Sequence, residues 1–295
     1  MIEIIFLMSF FPLNRLLKKE RPDFLVIHLI TSLPLILLCI FNYQTKFILR
    51  VSGLPKLGFM RKFLWKLAAK KLFCITCPTK TTYEFIKKSN IIDNKKIKLL
   101  YDPILEISKI KRKNKKNSGK LPDENFYIAV GRLTYQKNFL FLCKSFNRII
   151  KNYPKEKLFI AGEGEDENIL RKYINENNLN KNIFLIGFKD NILEYFRNCK
   201  GFILSSKWED PGFVLIEAAI SRTFIFSSNC MNGPRELIVD NINGIVFENN
   251  NEEDFIKKFD LFYQLDRKVN KNLLLNNLKM AKNFTIFNHH KVLCE

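Results

Sequence analysis

Residues 206–219 read SKWEDPGFVLIEAA, and seven residues separate Glu209 from Glu217. Glu217 sits inside the apolar run FVLIEAA, where an isolated carboxylate is costly to bury. The Asp210-Pro211-Gly212 triplet reads as a turn into a helix starting near Phe213. The first-turn N–H groups of such a helix, around Gly212, Phe213 and Val214, make a seat for phosphate. Glu217 lies one turn further on and shares a face with Phe213. Its carboxylate can accept two hydroxyl hydrogen bonds from a ribose, which would satisfy the charge when a ligand binds. An ion pair with Arg222 or Arg235 is the alternative. Glu209, on the loop before the helix, is placed nearer to a transferred group.

Two cations have a comparable spacing. In VGRLTYQKN, Arg132 follows Gly131 at the end of an apolar run, and Lys137 comes five residues later. Fixed positive groups over one loop suit a diphosphate whose negative charge grows as it departs. A solvated pair beside a turn is the other reading. AGEGEDENIL joins Gly162 and Gly164 to a helix start. These glycines suit either a nucleotide loop or a simple tight turn, since the next glycine is Gly187 and the GxGxxG pattern is not met. Cys74 and Cys77 have the spacing of a redox or zinc half-site, but no second pair follows. LFCITCP reads instead as a strand with buried thiols. His289 and His290 are adjacent and share no helix face, so no metal is expected.

The elements that must position these residues alternate. FLVIHL, KFILRV, LFCITCP and KIKLLY read as strands; PLILLCIF, FMRKFLWKLAAKK and TTYEFIKKS read as helices. EISKIKRKNKKNSGKLPDEN, 106–125, is highly charged and reads as a linker. The alternation restarts with FYIAVG, KLFIAG, NIFLIG, GFILSS, TFIFSS and GIVF as six strands, with helices from about 139–151 to EEDFIKKFDLFYQL and PRELIVD continuing the rhythm. The expected fold class is α/β, with largely parallel sheets covered on their faces. Ligands in such sheets sit beyond the carboxyl ends of the strands, which directs attention to VGR, AGEGE, GF and SSKWED. The expected domains are 1–105, the linker 106–125, a ligand-binding domain 126–265 and a helical segment 266–295.

Of the 295 residues, 49 are Lys or Arg and 29 are Asp or Glu, giving a net charge of +20. That excess suits an anionic partner, although lysine spread through the whole chain also explains it. No zinc-finger spacing or RNA-recognition signature supports nucleic-acid binding. Seven scattered cysteines argue against a disulfide scaffold. FLVIHLITSLPLILLCIF, 24–41, lacks charged residues, but His28 and Pro34 interrupt it, and a strand, turn and helix fit it better than a membrane span. The first residues have no basic segment ahead of their apolar run and make a poor secretory signal.

In order along the chain, VGRLTYQKN, LFIAGEGEDENILR, NIFLIGFKDNI, LSSKWEDPGFVLIEAA and NGPRELIVDNINGIVF resemble the retaining GT-B glycosyltransferases of family 4, the glycosyl transferases group 1. Together they cover roughly 126–250 and include the E-x7-E signature; the similarity weakens upstream. The resemblance implies two Rossmann-like domains facing a cleft, the N-terminal one incomplete. It implies transfer of a sugar, with retention, from a UDP- or GDP-sugar to a glycan or lipid-linked glycan hydroxyl in lipopolysaccharide, O-antigen or capsule synthesis. Arg132 and Lys137 are then ligands of the donor diphosphate and stabilise its departure without an obligatory metal. Glu217 binds the ribose, Glu209 contacts and orients the donor sugar without a covalent role, and the backbone at Gly212, Phe213 and Val214 cradles phosphate. Phe188, after Gly187, falls where the base-binding loop runs. The final helix is expected to cross back to the N-terminal domain. The expected location is cytoplasmic, at the inner face of the membrane, where FMRKFLWKLAAKK suits peripheral contact with anionic lipid.

Two departures from the family pattern matter. The usual opening strand and glycine-rich loop are not visible, so the chain is expected to begin inside its N-terminal domain and to expose strand edges and apolar surface. Relatives place a histidine after a mid-domain strand; LRVSGLP has Ser52 and Gly53 there, while His28 follows an earlier strand. A nucleotide-sugar-binding homologue without activity is therefore a competing expectation.

Overall fold

The computed structural model describes residues 2–106, 125–268 and 270–294. Apart from its two end residues, the linker expected at 106–125 lies outside the described residues. The chain divides into two compact units, Met1–Tyr101 and Asp102–Glu295.

The first unit holds α1 (Ile2–Glu20), β1 (Phe24–Ile27), α2 (Ser32–Ile40), β2 (Lys46–Arg50), α3 (Phe59–Ala69), β3 (Cys74–Cys77), α4 (Lys80–Lys88) and β4 (Ile97–Leu99). Its four strands are parallel, in the order β1-β2-β3-β4. Phe47, Leu49, Trp65 and Ile75 lie in its core. Cys74 and Cys77 are buried strand residues, as the apolar context of CITC predicts. The 24–41 run is the expected strand and helix. Among the described residues no helix is long and apolar enough to cross a membrane. β1 is an edge strand with Phe24 and Val26 half exposed. His28 is exposed just past β1, and Ser52 is exposed in the loop after β2, where Gly53 takes φ 68°.

The second unit holds β5 (Tyr127–Val130), α5 (Phe139–Asn152), β6 (Leu158–Ala161), α6 (Glu167–Glu176), β7 (Ile183–Gly187), α7 (Ile192–Asn198), β8 (Gly201–Leu204), α8 (Phe213–Ile220), β9 (Ile225–Ser228), α9 (Gly233–Leu237), β10 (Ile245–Phe247), α10 (Glu252–Tyr263), α11 (Lys271–Ala281) and α12 (Ile286–Cys294). All six strands run parallel, in the order β10-β9-β8-β5-β6-β7. This is a doubly wound sheet whose order reverses between β5 and β8. The strands are short and apolar because helices cover both faces. Phenylalanine fills much of one layer: Phe226 of β9 lies 4.7 Å from Phe247 and 5.0 Å from Phe262 between ring centres. Gly201 opens β8 without a side chain because a Cβ there would meet the Phe262 ring at 2.3 Å. Gly233 and the first four residues of PRELIVD form the short helix α9, with Pro234 in its first turn.

Candidate functional site

The β5–β8 ladder covers Tyr127↔Gly201 and Ile128↔Phe202, although β5 continues to Val130 and β8 to Leu204. The loops beyond these two ends meet where the sheet order reverses, the usual position for a ligand crevice. Four contacts fasten them together. Ser205 Oγ donates to Lys137 O at 2.9 Å, the Lys207 N–H donates to Gln136 O at 2.9 Å, and Gln136 Nε2 donates to Trp208 O at 2.9 Å. The fourth joins side chains: Lys137 Nζ lies 2.6 Å from Glu209 Oε1.

Local sequence explains why Lys137 is presented there. The backbone N–H groups of Lys137 and Asn138 both donate to Thr134 O, closing a turn. Asn138 then takes a left-handed φ of 57°, a conformation asparagine tolerates, and redirects the chain into α5. The aliphatic stem of Lys137 lies over Gly131. A Cβ on Gly131 would come within 2.9 Å of Lys137 Cε.

Glu209 is only 4% exposed. Its Oε1 also accepts from Ser206 Oγ at 2.5 Å, and the Ser206 carbonyl accepts from Ser228 Oγ at 2.8 Å. A buried carboxylate held by one cation and one hydroxyl meets the cost that an isolated one would incur. Beyond it, Gly212 takes φ 89° and opens α8, packing close to the Glu209 side chain. Asn232 Nδ2 donates to Asp210 Oδ1 at 2.8 Å, and Gly233 leaves room for Pro211 O, which a Cβ would meet at 1.5 Å. The β8–α8 loop is thereby clasped between the β5 loop and the start of α9.

Gly162 and Gly164 serve the packing of one loop on another. A Cβ on Gly162, at φ 143°, would lie 1.9 Å from Gly131 O, and one on Gly164 would lie 2.4 Å from Leu133 O. The Gly131 N–H donates to Ala161 O, the Leu133 N–H to Glu163 O, and the Asp166 N–H to Leu133 O. The Gly162 N–H donates to Gly187 O at 3.0 Å, extending the stitching to the end of β7. Phe188 follows there, 66% exposed.

The structure brings Gly131, Lys137 and Glu209 together and sets Gly212 against Glu209. Arg132 is exposed beside them, Val214 is buried, and Phe213 is half exposed at the start of α8. Glu217 is half-buried one turn into α8. The sequence pattern made Glu217 the buried acid; in the structure the more buried of the two is Glu209. Sequence reasoning missed Gln136, Ser205, Ser206 and Ser228. Only Ser206, three residues before Glu209, carried a local signal, since a serine at that spacing can reach a nearby side chain or backbone group. Among the described residues no group of three or more His, Cys, Asp or Glu side chains is placed to hold a metal ion.

Comparison with known proteins agrees with this architecture. The model of the family described as "Glycosyl transferases group 1" matches residues 110–278. An uncharacterized glycosyltransferase of Methanocaldococcus jannaschii is 31% identical over 248 residues, 78% of this chain and 61% of that protein. The Campylobacter jejuni N-acetylgalactosamine-N,N'-diacetylbacillosaminyl-diphospho-undecaprenol 4-alpha-N-acetylgalactosaminyltransferase is 28% identical, over 79% of this chain and 65% of its own. The chain therefore spans a little over three fifths of the length of these two relatives. A glycosyltransferase structure from Rickettsia africae superposes with a TM-score of 0.80 at 17% identity, covering 98% of this chain and 80% of that one. That likeness extends the GT-B fold assignment to both units.

Proposed function

This chain belongs to the glycosyl transferases group 1 family, and from that premise we propose that it moves a sugar, with retention, from a nucleotide-diphosphate sugar to a hydroxyl of a glycan or lipid-linked glycan. The observation that carries the proposal is the Lys137–Glu209 pair at the switch point of the second sheet. UDP- or GDP-sugar is the donor. The Campylobacter jejuni relative is named for a diphospho-undecaprenol-linked substrate, which supports a lipid-linked acceptor and work at a membrane surface.

In this reading the first-turn N–H groups of α8, around Phe213 and Val214, receive phosphate oxygens. Glu217 takes the ribose hydroxyls, and Phe188 lies along the base. Lys137 keeps N–H donors beyond the one engaged by Glu209, because an ammonium has three. It is held by a short ion pair, so little reorganisation is needed when the diphosphate leaves. As the bond from the anomeric carbon to the diphosphate oxygen breaks, negative charge gathers beside Lys137 and Arg132, and their interaction strengthens. Glu209 fixes Lys137 and orients the donor sugar.

A second reading rests on the loop after β2, where Ser52 and Gly53 stand in place of the family's histidine. It makes the chain a nucleotide-sugar-binding homologue without transfer. Calorimetric titration with UDP and GDP separates the possibilities. Saturable binding of one nucleotide, weakened about tenfold or more by Glu217→Ala, supports the donor site. Binding without transfer to any membrane glycolipid extract favours the inactive homologue. Folded protein that binds neither nucleotide refutes the donor site.

A further inference from the structure

Helix α3 buries Trp65, Ala68 and Ala69 in the core of the first unit. Its opposite face is apolar and open to solvent. Phe59 is 85% exposed, Met60 80%, Phe63 62% and Leu67 50%. The 3.6-residue repeat stacks Phe59, Phe63 and Leu67 in one line, with Met60 beside it. Scattered exposed apolar residues are ordinary, but a contiguous stripe marks an interaction surface.

A second line runs beside the first. Lys62, Lys66 and Lys70 recur at the same spacing, and all three are exposed. FMRKFLWKLAA contains no Asp or Glu. Next to Lys66 and Lys70 opens a groove of about 720 Å³, lined also by Lys96, Asn90, Asn94 and Asp93. Within it the Asp93 carboxylate accepts from the Lys95 N–H at 2.9 Å, and Lys96 Nζ donates to Leu72 O at 2.8 Å.

We propose that this face of α3 docks on a bilayer containing anionic phospholipid. Phe59, Met60, Phe63 and Leu67 enter the headgroup–acyl boundary, while Lys62, Lys66 and Lys70 meet lipid phosphates. The stripe is about 12 Å long, from the helical rise per residue, which suits a helix lying in the plane of the interface. Lysine stems can lie along the apolar stripe with their ammonium groups at headgroup level. Charge complementarity selects this occupant: a second copy of the chain would bring more lysines to the contact, with no acid on α3 to meet them. The inference deepens the proposed function by naming the membrane-facing surface, and vesicle binding is read without a transfer assay, so either can fail alone.

The test is cosedimentation of the full chain with vesicles of phosphatidylcholine, alone or with one part in three phosphatidylglycerol. Binding only to the anionic vesicles, falling with added salt, is expected. Lys62→Gln, Lys66→Gln and Lys70→Gln together should weaken it about 100-fold. Phe59→Ser with Phe63→Ser should weaken it about tenfold or more at unchanged net charge. A separate Phe63→Trp variant should shift its emission to the blue on anionic vesicles alone. Binding by the serine variant equal to that of the parent, with no emission shift, would assign the attraction to diffuse charge and overturn the proposal. So would absence of parent binding, or a dimer that the serine changes dissociate.

Discussion

Lys137 Nζ and Glu209 Oε1 lie 2.6 Å apart, although 72 residues separate them in the chain. Their side chains are 14% and 5% exposed, so the pair is largely desolvated. Removing one partner leaves a buried charge, which is costlier than the pair itself is favourable. Lys137→Ala should lower unfolding stability by about 3 kcal/mol, and Glu209→Ala by less, because the lysine can reach water. The double variant should recover part of the loss. Urea unfolding of the two single variants and the double variant measures this coupling; strictly additive losses would contradict it. In a transfer assay Lys137→Ala should lose about 100-fold to 1,000-fold in kcat.

Ser206 donates to the same Glu209 oxygen. Ser206→Ala removes one charge-assisted hydrogen bond without removing either charge. A stability loss of about 2 kcal/mol is expected. The proposed role of Glu209 in orienting the sugar predicts a fall in kcat with nucleotide affinity nearly unchanged. Weakened UDP or GDP binding with unaltered kcat would place Ser206 elsewhere in the mechanism.

Two glycines should respond differently to alanine. Both take a positive φ, 156° at Gly131 and 143° at Gly162, so the contrast lies in what a Cβ meets: at Gly131 the obstacle is the flexible stem of Lys137, with Cε at 2.9 Å. Gly131→Ala should fold, displace the ammonium and cost about tenfold in kcat, since catalytic positioning is sensitive to small shifts. At Gly162 the obstacle is the backbone oxygen of Gly131 at 1.9 Å. Gly162→Ala should lose about 3 kcal/mol or more of stability. Thermal melts of both variants check this; equal melting points would refute the contrast.

Burial pushes the thiols of Cys77, Cys143, Cys199 and Cys230 up to about 12. They stay protonated in the folded chain while the unfolded chain ionises near the ordinary thiol value. The unfolded state thus binds fewer protons above about pH 9, and stability falls as pH rises from there toward 12. At pH 8, exposed Cys294 should react with a thiol reagent well before these four. Time-resolved labelling of the parent and of Cys294→Ser tests this; an undiminished fast phase in the variant would contradict it.

Much of this protein was legible in its sequence. Short apolar runs bounded by glycine and polar turns specify strands buried on both faces, and FLVIHL, KLFIAG and GFILSS became β1, β6 and β8 within a residue or two. The spacing of Glu209, Gly212 and Glu217 marked the loop-to-helix junction at α8, because helix starts obey local rules. PRELIVD showed the limit of local reading: its first four residues belong to a five-residue helix that starts at Gly233, too short for periodicity to describe.

Tertiary structure decided which loops became neighbours. Strand order depends on crossovers, so no local pattern states that β5 lies beside β8 and brings Lys137 to Glu209. It also decided what the glycines pack against. Gly162 and Gly164 read equally as a ligand loop or a turn, and their tight constraint is the backbone of the adjoining β5 loop. Burial of an acid followed the same logic. Glu217 stands in the more apolar sequence yet is half-buried, whereas Glu209, in polar surroundings along the chain, is almost fully enclosed. A carboxylate can be enclosed where a cation and a hydroxyl meet it, and Lys137, arriving from 72 residues away, is supplied only by the folded sheet.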